Sequence, residues 1–200
     1  MRHGKNPKIQ KAFIDAAFKL YSEKGIEPVS NDTIAEAAGF GIATLYRHFK
    51  EKANLAIAVA IEKWQEYDNQ KIPGKTAEEM YEHFLDTFIE LYRNNKDLLR
   101  YNQFFNAYIE NQKIDEKALR PYVRIFEHLK EQFHEIYERA KIDGSLNTEE
   151  SEDEMFSTSF NLMMAAATRY AMGMIYDPEG FDAEKELGKM KMGLMMMYVE

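Results

Sequence analysis

Apolar residues recur at intervals of three and four along most of the chain, and the alternation typical of strands is nearly absent. The first segment shows the pattern at Ile9, Ala12, Phe13, Ala16, Ala17, Leu20 and Tyr21. Such spacing puts the apolar side chains on one face of a helix, which neighbouring helices must then cover. The sequence therefore predicts an all-α fold with about nine helices.

The composition narrows the class of protein further. A chain of 200 residues can bury a core without covalent cross-links. The absence of cysteine excludes disulfides and thiolate metal sites and suits a reducing cytoplasm. The N-terminus has no apolar signal segment. The apolar run at residues 156–176 contains Arg169, which favours a buried helix over a membrane span. We therefore expect a cytoplasmic protein without membrane contact.

Capping residues predict where several helices begin. Ser30 or Asn31 can cap the second helix, and Thr76 to Glu79 and Ser151 to Glu154 have the spacing of capping boxes. A long helix is expected to start near Arg120-Pro121, because proline fits the first turn. The fourth helix is expected to end near Asn69, and residues 177–180 form a predicted turn.

The stretch AAGFGIATLYRHF, residues 37–49, interrupts this helical pattern in a specific way. Gly39 ends one short helix, and another begins about three residues later. Glycine supplies a backbone conformation that other residues adopt only at a cost. Ile34 and Leu45 can pack across the corner. The pattern predicts a helix-turn-helix, whose second helix presents its N-terminal side chains to the major groove.

The polar residues of this second helix favour a nucleic-acid role over an ordinary helical hairpin with glycine in its turn. Thr44, Tyr46, Arg47 and His48 can all donate hydrogen bonds to phosphates or bases. Lys50 and Lys52 follow directly. Residues 1–52 carry nine Lys and Arg against six Asp and Glu, a net charge of +3, whereas the remainder carries −11. Such asymmetry is a hint of an end that faces nucleic acid.

These residues resemble the TetR family of transcriptional regulators. The resemblance covers about residues 9–55 and depends on the segments AAFKLYSEKG, TIAEAAGF and TLYRHFKEKANL. It implies a DNA-binding domain at residues 1–51 and a helical ligand-binding and dimerisation domain at residues 52–200. The expected partners are double-stranded operator DNA, a second copy of the chain and an unidentified small molecule that releases a repressor. No cofactor is expected.

The resemblance also assigns DNA-binding positions. Those matching phosphate contacts are Thr44, Tyr46, His48 and Lys52, and those near base edges are Ile42, Ala43 and Arg47. Two positions depart from the family pattern. Gly41 replaces a common Ser or Thr cap, and Ile42 replaces a frequent polar reader. Isoleucine cannot hydrogen-bond a base but can touch a thymine methyl group.

Aromatic residues are dense between residues 101 and 137, and they fit either a plain helical core or a cavity for an apolar or aromatic ligand. The resemblance favours the cavity. The predicted ligand-binding residues are Tyr101, Phe104, Phe105, Tyr108, Tyr122, Phe126 and Met163.

Ten of the twelve methionines lie in residues 155–197. On the last helix Leu187, Met190, Leu194, Met197 and Tyr198 form one stripe, and Met192, Met195 and Met196 lie outside it. Such a helix needs more than one neighbour, either within the monomer or in a dimer. We predict that the last two helices form a four-helix bundle with their copies. The predicted interface residues are Ala166, Tyr170, Leu187, Met190, Leu194 and Met197.

Two other classes of protein fit the sequence less well. A di-iron bundle needs two Glu-x-x-His motifs and two further glutamates, and only Glu131 to His134 supplies such a motif. No catalytic set of residues and no metal site is apparent. A helical protein-interaction module without DNA binding remains an alternative, which the acidic bulk of the chain makes conceivable.

Overall fold

The computed structural model describes residues 6–67, 72–173 and 179–200. These residues form nine α-helices and no strand, which confirms the predicted all-α class. The helices are α1 (Pro7–Lys24), α2 (Asn31–Ala37), α3 (Ile42–His48), α4 (Lys52–Tyr67), α5 (Ala77–Asn94), α6 (Lys96–Glu110), α7 (Glu116–Asp143), α8 (Glu152–Met172) and α9 (Ala183–Tyr198).

The described residues fall into two compact units. Unit 1 lies within Met1–Asp68 and Arg100–Ile125, and unit 2 lies within Asn69–Leu99 and Phe126–Glu200. Unit 1 thus contains α4 as well as the first three helices. The division into compact units does not fall at residue 51. The domain boundary expected there stays a prediction about function.

Unit 1 is built around the apolar face of α1. Phe13, Ala17 and Tyr21 are fully buried, and Leu45 of α3 and Leu55 of α4 belong to the same cluster. Burying such side chains contributes about 1.5–3 kcal/mol for each large aliphatic or aromatic group. This core therefore fixes the orientation of α3 relative to α1 and α4.

Residues of α6 complete unit 1 through aromatic and polar contacts. The Tyr101 hydroxyl donates a hydrogen bond to the Ala56 carbonyl in α4. The Asn102 side-chain oxygen accepts hydrogen bonds from the Trp64 indole N–H at 3.1 Å and from the Tyr122 hydroxyl at 2.7 Å. These bonds satisfy polar groups that would be costly to bury unpaired.

Unit 2 consists mainly of α5, α8 and α9, which pack against one another. Its core is aromatic: the Phe84 and Phe133 rings lie 5.1 Å apart, and the Phe133 and Phe156 rings lie 5.3 Å apart. The Tyr81 hydroxyl shares a hydrogen bond of 2.7 Å with Ser159. Edge-to-face contacts of this kind add to the stabilisation from apolar burial.

Two of the predicted caps form as expected. The Ser30 hydroxyl accepts from the Thr33 amide, and Ser151 and Glu154 form a complete capping box. At Thr76 only half of the box forms, because the Glu79 carboxylate accepts from the Lys75 amide instead.

The predicted start of the long helix near Arg120-Pro121 is wrong. Helix α7 begins at Glu116, and Pro121 lies inside it. The Asp115 carboxylate accepts a hydrogen bond from the Lys117 amide at 3.0 Å, which caps the helix before the proline is reached.

In the ranges that the structure describes, no helix combines the length and apolar content needed to cross a membrane. Several sequence features fall outside these ranges: Arg2, His3 and Lys5, the expected helix end at Asn69, and the first two residues of the turn at 177–180.

Candidate nucleic-acid interface

The turn between α2 and α3 is a Schellman motif. The Gly39 amide donates to the Glu36 carbonyl at 3.0 Å, and the Phe40 amide donates to the Ala35 carbonyl at 3.0 Å. Gly39 has φ +76°, the left-handed conformation that this motif requires at the residue after the helix cap. The chain therefore reverses within a few residues and starts α3 at a fixed angle to α2.

Helix α3 begins with a weak cap, as its sequence predicts. Gly41 has no side chain that could cap the helix. Its carbonyl accepts a hydrogen bond from the Thr44 amide at 2.9 Å. The position of α3 therefore depends on packing. Leu45 is fully buried and Phe49 is 5 % exposed.

His48 lies on the inner side of α3. Its side chain is only 4 % exposed, and its ring centroid lies 6.0 Å from that of Phe13. The structure thus places this residue in the core of unit 1 rather than on the outer surface. Its predicted phosphate contact stays a prediction.

The outer side of α3 exposes three of the six other predicted DNA-binding residues. Ala43 and Arg47 are exposed, and Tyr46 is 50 % exposed although it is a large aromatic residue. Ile42 and Thr44 are half-buried at the start of the helix. Tyr46 and Arg47 therefore present a hydroxyl and a guanidinium group to solvent, the donors that phosphates and base edges accept.

Lys52, the remaining predicted DNA-binding residue, has an internal partner. Its ammonium group donates a hydrogen bond of 2.8 Å to the Glu27 carbonyl in the loop after α1. Burial lowers the pKa of Lys52, and the Glu27 carboxylate acts in the opposite direction. Lys52 thus ties the start of α4 to this loop, and its contact with phosphate stays a prediction.

Part of the positive charge of α1 is neutralised by α4. The Lys11 ammonium lies 2.9 Å from a Glu62 carboxylate oxygen and 3.2 Å from one of Glu66. Lys63 pairs with Asp15 at 2.7 Å. The Lys11 side chain is exposed, and exposed ion pairs contribute little stability individually. Lys11 is therefore less available to phosphate than the formal charge of the segment suggests.

Replacing Gly39 by alanine should lower the free energy of unfolding by about 1–2 kcal/mol, because an L-residue is strained at this positive φ. No atom lies within 4 Å of a Cβ added at this position, so the loss would come from the backbone alone. Urea denaturation followed by circular dichroism measures it. Gly39→Asn should lose less, because asparagine tolerates the left-handed conformation. Equal stability of wild type and Gly39→Ala would contradict the proposed role of this turn.

Three predicted ligand-binding residues form part of the core of unit 1. Tyr101 and Phe105 are fully buried or nearly so, and their rings stack at 5.8 Å. The Tyr122 ring meets that of Phe105 edge-on at 5.1 Å.

Phe104 and Tyr108 line a cleft of about 450 Å³ in unit 1, which we call the α1–α6 cleft. Its other lining residues are Lys24, Gly25, Ile26, Glu27, Pro28, Ala107, Asn111 and Gln112. Burial and the nearby carboxylates of Glu27 and Glu51 raise the pKa of Tyr108. The sequence did not identify Ile26 and Pro28 as cleft residues, because they lie far from Phe104 along the chain.

The last two predicted ligand-binding residues, Phe126 and Met163, belong to unit 2. Met163 is fully buried in α8. The Phe126 ring contacts that of Phe160 edge-on at 6.2 Å. The structure does not bring these two residues to the α1–α6 cleft.

The predicted dimer residues divide between the interior and the surface of unit 2. Leu187 and Leu194 are buried within the unit, Ala166, Tyr170 and Met190 are half-buried, and Met197 is 53 % exposed. Other apolar side chains on α8 and α9 are exposed: Leu162 at 42 %, Met192 at 63 % and Met196 at 81 %. Of the predicted residues on α9, Leu187 and Leu194 thus face inward and Met197 faces outward, and Met192 and Met196 add exposed apolar side chains at i, i+4 spacing. The predicted interface stays a prediction.

One group of possible metal ligands occurs in the part of the chain that the structure describes. Donor atoms of His134, Glu138 and Glu152 lie within 4.8 Å of one another. His134 bonds to Glu152 at 2.8 Å, and Glu138 pairs with Lys141 at 2.6 Å. The hydrogen bond that the His134 ring donates to the Glu152 carboxylate raises the pKa of His134, and this ion pair accounts for the group.

Comparison with protein families identifies the segment that contains the turn. Residues 13–59 match the model of the bacterial regulatory proteins of the tetR family. An HTH-type transcriptional regulator of Staphylococcus aureus (strain USA300) is 33 % identical over 109 residues, which are 52 % of this chain and 48 % of the relative. The matched region thus spans about half the length of this relative.

Solved structures share the fold over nearly the whole chain. FadR from Bacillus subtilis in complex with stearoyl-CoA has a TM-score of 0.73 at 18 % identity, covering 92 % of this chain and 97 % of that one. A transcriptional regulator from Saccharomonospora viridis in complex with choline has a TM-score of 0.81 at 12 % identity, covering 98 % and 100 %. These similarities concern the arrangement of helices.

Proposed function

We propose that this chain is a DNA-binding transcriptional regulator of the TetR family, because residues 13–59 match the model of that family and because its fold is shared with FadR from Bacillus subtilis. It would act as a repressor by occupying an operator in double-stranded DNA. The observation that carries the proposal is the outer side of α3, where Tyr46 and Arg47 are exposed although the opposite side of the same helix is buried.

We assign a separate role in DNA binding to each residue on this side of α3. Arg47 is long enough to reach base edges and carries the guanidinium group that reads guanine through two hydrogen bonds. Tyr46 and Thr44 contact phosphates and so fix the position of α3 in the groove. Ala43 and Ile42 offer small apolar contacts, for example to a thymine methyl group.

We further propose that the active form is a homodimer. Large apolar side chains of α8 and α9 are exposed to water at Leu162, Met192, Met196 and Met197, which together are called the methionine face. A second copy is a suitable cover, because a two-fold axis pairs the same patch with itself. A dimer also sets two α3 helices about 34 Å apart, the distance between successive major grooves. Ala166 lies on α8 and remains a proposed interface residue.

Release from DNA would follow from binding of a small apolar or aromatic ligand. We propose the α1–α6 cleft as the contact surface for that ligand, with Phe104 and Tyr108 as its aromatic walls. Glu27 lines this cleft and also holds Lys52 through its carbonyl. A ligand that binds more tightly to one conformation of this loop increases the population of that conformation. The ligand changes DNA binding only through this difference in affinity between conformations.

A regulator of chromosomal genes acts in the cytoplasm, and we place the protein there. The absence of cysteine is compatible with that compartment. The proposal assigns no catalytic role to any residue.

Selection of genomic fragments by the purified protein tests this function. We expect enrichment of a small number of duplexes that share two related half-sites, about one helical turn or a multiple of it apart. Arg47→Ala should lose most of this enrichment, because it removes the proposed base contact. Recovery of the same random fragments by wild type and by this variant would contradict the proposal.

A further inference from the structure

The ends of α5, α8 and α9 in unit 2 enclose a second cleft, also of about 450 Å³, which we call the aromatic cleft. It is distinct from the α1–α6 cleft, which lies in unit 1. The residues lining it are Tyr92, Lys96, Tyr170, Gly173, Phe181, Asp182, Ala183 and Glu184.

Three aromatic rings border this space. The centroids of Tyr92 and Tyr170 lie 6.5 Å apart with the rings nearly perpendicular, and those of Tyr170 and Phe181 lie 5.3 Å apart. Tyr92 is 9 % exposed, so its ring is held firmly. The face of an aromatic ring carries partial negative charge, so a ring whose face borders the cavity attracts a cation.

A cation of the chain already uses this attraction. The Lys96 ammonium lies 4.4 Å from the centroid of the Tyr92 ring, well within the distance of a cation–π contact. Lys96 is exposed at the first position of α6, and its side chain has free access to water. Its position over the ring indicates that this wall of the cleft favours positive charge.

Among the carboxylates at and beside the cleft, that of Asp182 is the one left for a cation. Glu184 is neutralised by Arg93, whose guanidinium lies 2.8 Å from its carboxylate. Glu186, one turn further along α9, pairs with Lys189 at 2.7 Å. The Asp182 carboxylate accepts two amides of α9, from Glu184 and Lys185, and forms no ion pair with another residue in the described ranges.

We propose that the aromatic cleft binds a small quaternary ammonium ion. Such an ion is weakly hydrated and cannot donate hydrogen bonds, so it gains from ring faces and a nearby carboxylate without losing strong bonds to water. A primary ammonium group gains less, because it is strongly hydrated. The binding does not require DNA binding and therefore goes beyond the proposed function.

Titration calorimetry of the full-length protein with tetramethylammonium chloride tests this site, with sodium chloride as the control for ionic strength and tert-butanol as the neutral analogue. Of these three solutes, only tetramethylammonium should bind. Tyr170→Ala should abolish measurable binding, whereas Tyr170→Phe should retain it because the ring remains. Circular dichroism checks that the variants fold.

The most specific readout is Lys96→Met. Removing the competing ammonium should strengthen tetramethylammonium binding by about twofold to fivefold. Lys141→Met is the matched control, because the Lys141 ammonium lies over a single ring, that of Tyr137, at 4.9 Å. This control should leave the affinity unchanged. Binding that is equal for tetramethylammonium and tert-butanol, that survives in Tyr170→Ala or that weakens in Lys96→Met would overturn the proposal.

Discussion

Arg47→Ala should weaken binding to the selected operator by about 1–3 kcal/mol and should also relax the preference for that sequence. The guanidinium group is exposed on the outer side of α3, while Leu45 and Phe49 anchor the inner side in the core. Its removal should therefore eliminate the proposed base contact and leave the fold intact. Fluorescence anisotropy with the operator and with a scrambled duplex measures both effects.

Tyr46→Ala provides the comparison within the same helix. Its hydroxyl is proposed to contact phosphate, so its loss should weaken binding to the operator and to the scrambled duplex by the same factor. Arg139→Ala is the matched control for Arg47→Ala, because it removes an exposed arginine from α7 in unit 2. Unchanged affinity and unchanged preference in Arg47→Ala would show that the groove-facing role is wrong.

Replacing both Met192 and Met196 by glutamate should convert the proposed dimer to a monomer. Each subunit of 23.4 kDa would bring two carboxylates into an apolar interface, and burying a charge without a partner is strongly unfavourable. The side chains are 63 % and 81 % exposed in the single chain, so the monomer itself should fold normally. Analytical ultracentrifugation measures the mass, and circular dichroism measures the helix content.

The matched control for this variant is Ile142→Glu. Ile142 is 79 % exposed near the end of α7 and lies outside the methionine face, so the same kind of substitution there should leave the dimer intact. The Met192→Glu, Met196→Glu variant should also lose affinity for an operator with two half-sites, because the two reading helices are no longer coupled. A variant that remains dimeric would contradict the proposed interface.

Most of the fold was predictable because its determinants are local. A three-and-four spacing of apolar residues identifies a helix wherever it occurs, and Ser30 and Ser151 mark helix starts with their own hydroxyls. The error at α7 has a local cause as well. Proline is compatible with the first turn, but Asp115 supplies an earlier cap, and the helix continues through Pro121.

The turn at Gly39 was predictable for the same reason, since its hydrogen bonds join residues that are close in sequence. It was less predictable that His48 lies on the buried side of α3. Its imidazole suggests a phosphate contact by residue type, whereas its position next to Phe13 depends on the packing of α1 against α3. Side-chain chemistry alone does not reveal which side of a short helix is buried.

The two clefts join residues that are far apart in the sequence, so the spacing of apolar residues could not predict them. The α1–α6 cleft joins Pro28 to Phe104, and the aromatic cleft joins Tyr92 to Tyr170 and Phe181. On α9 both stripes are rich in apolar residues. The core of unit 2 determines that Leu187 and Leu194 face inward and that Met192 and Met196 face outward.

The salt dependence of binding to a selected operator tests the central claim most directly. If Lys50 and Lys52 beside α3 and their copies in a second subunit neutralise phosphates, binding releases counterions, and about four neutralised phosphates would weaken affinity roughly a hundredfold over a fourfold rise in salt concentration. We expect a linear plot of log affinity against log salt concentration with that steepness. A flat plot would contradict the proposal that this protein regulates transcription by binding duplex DNA.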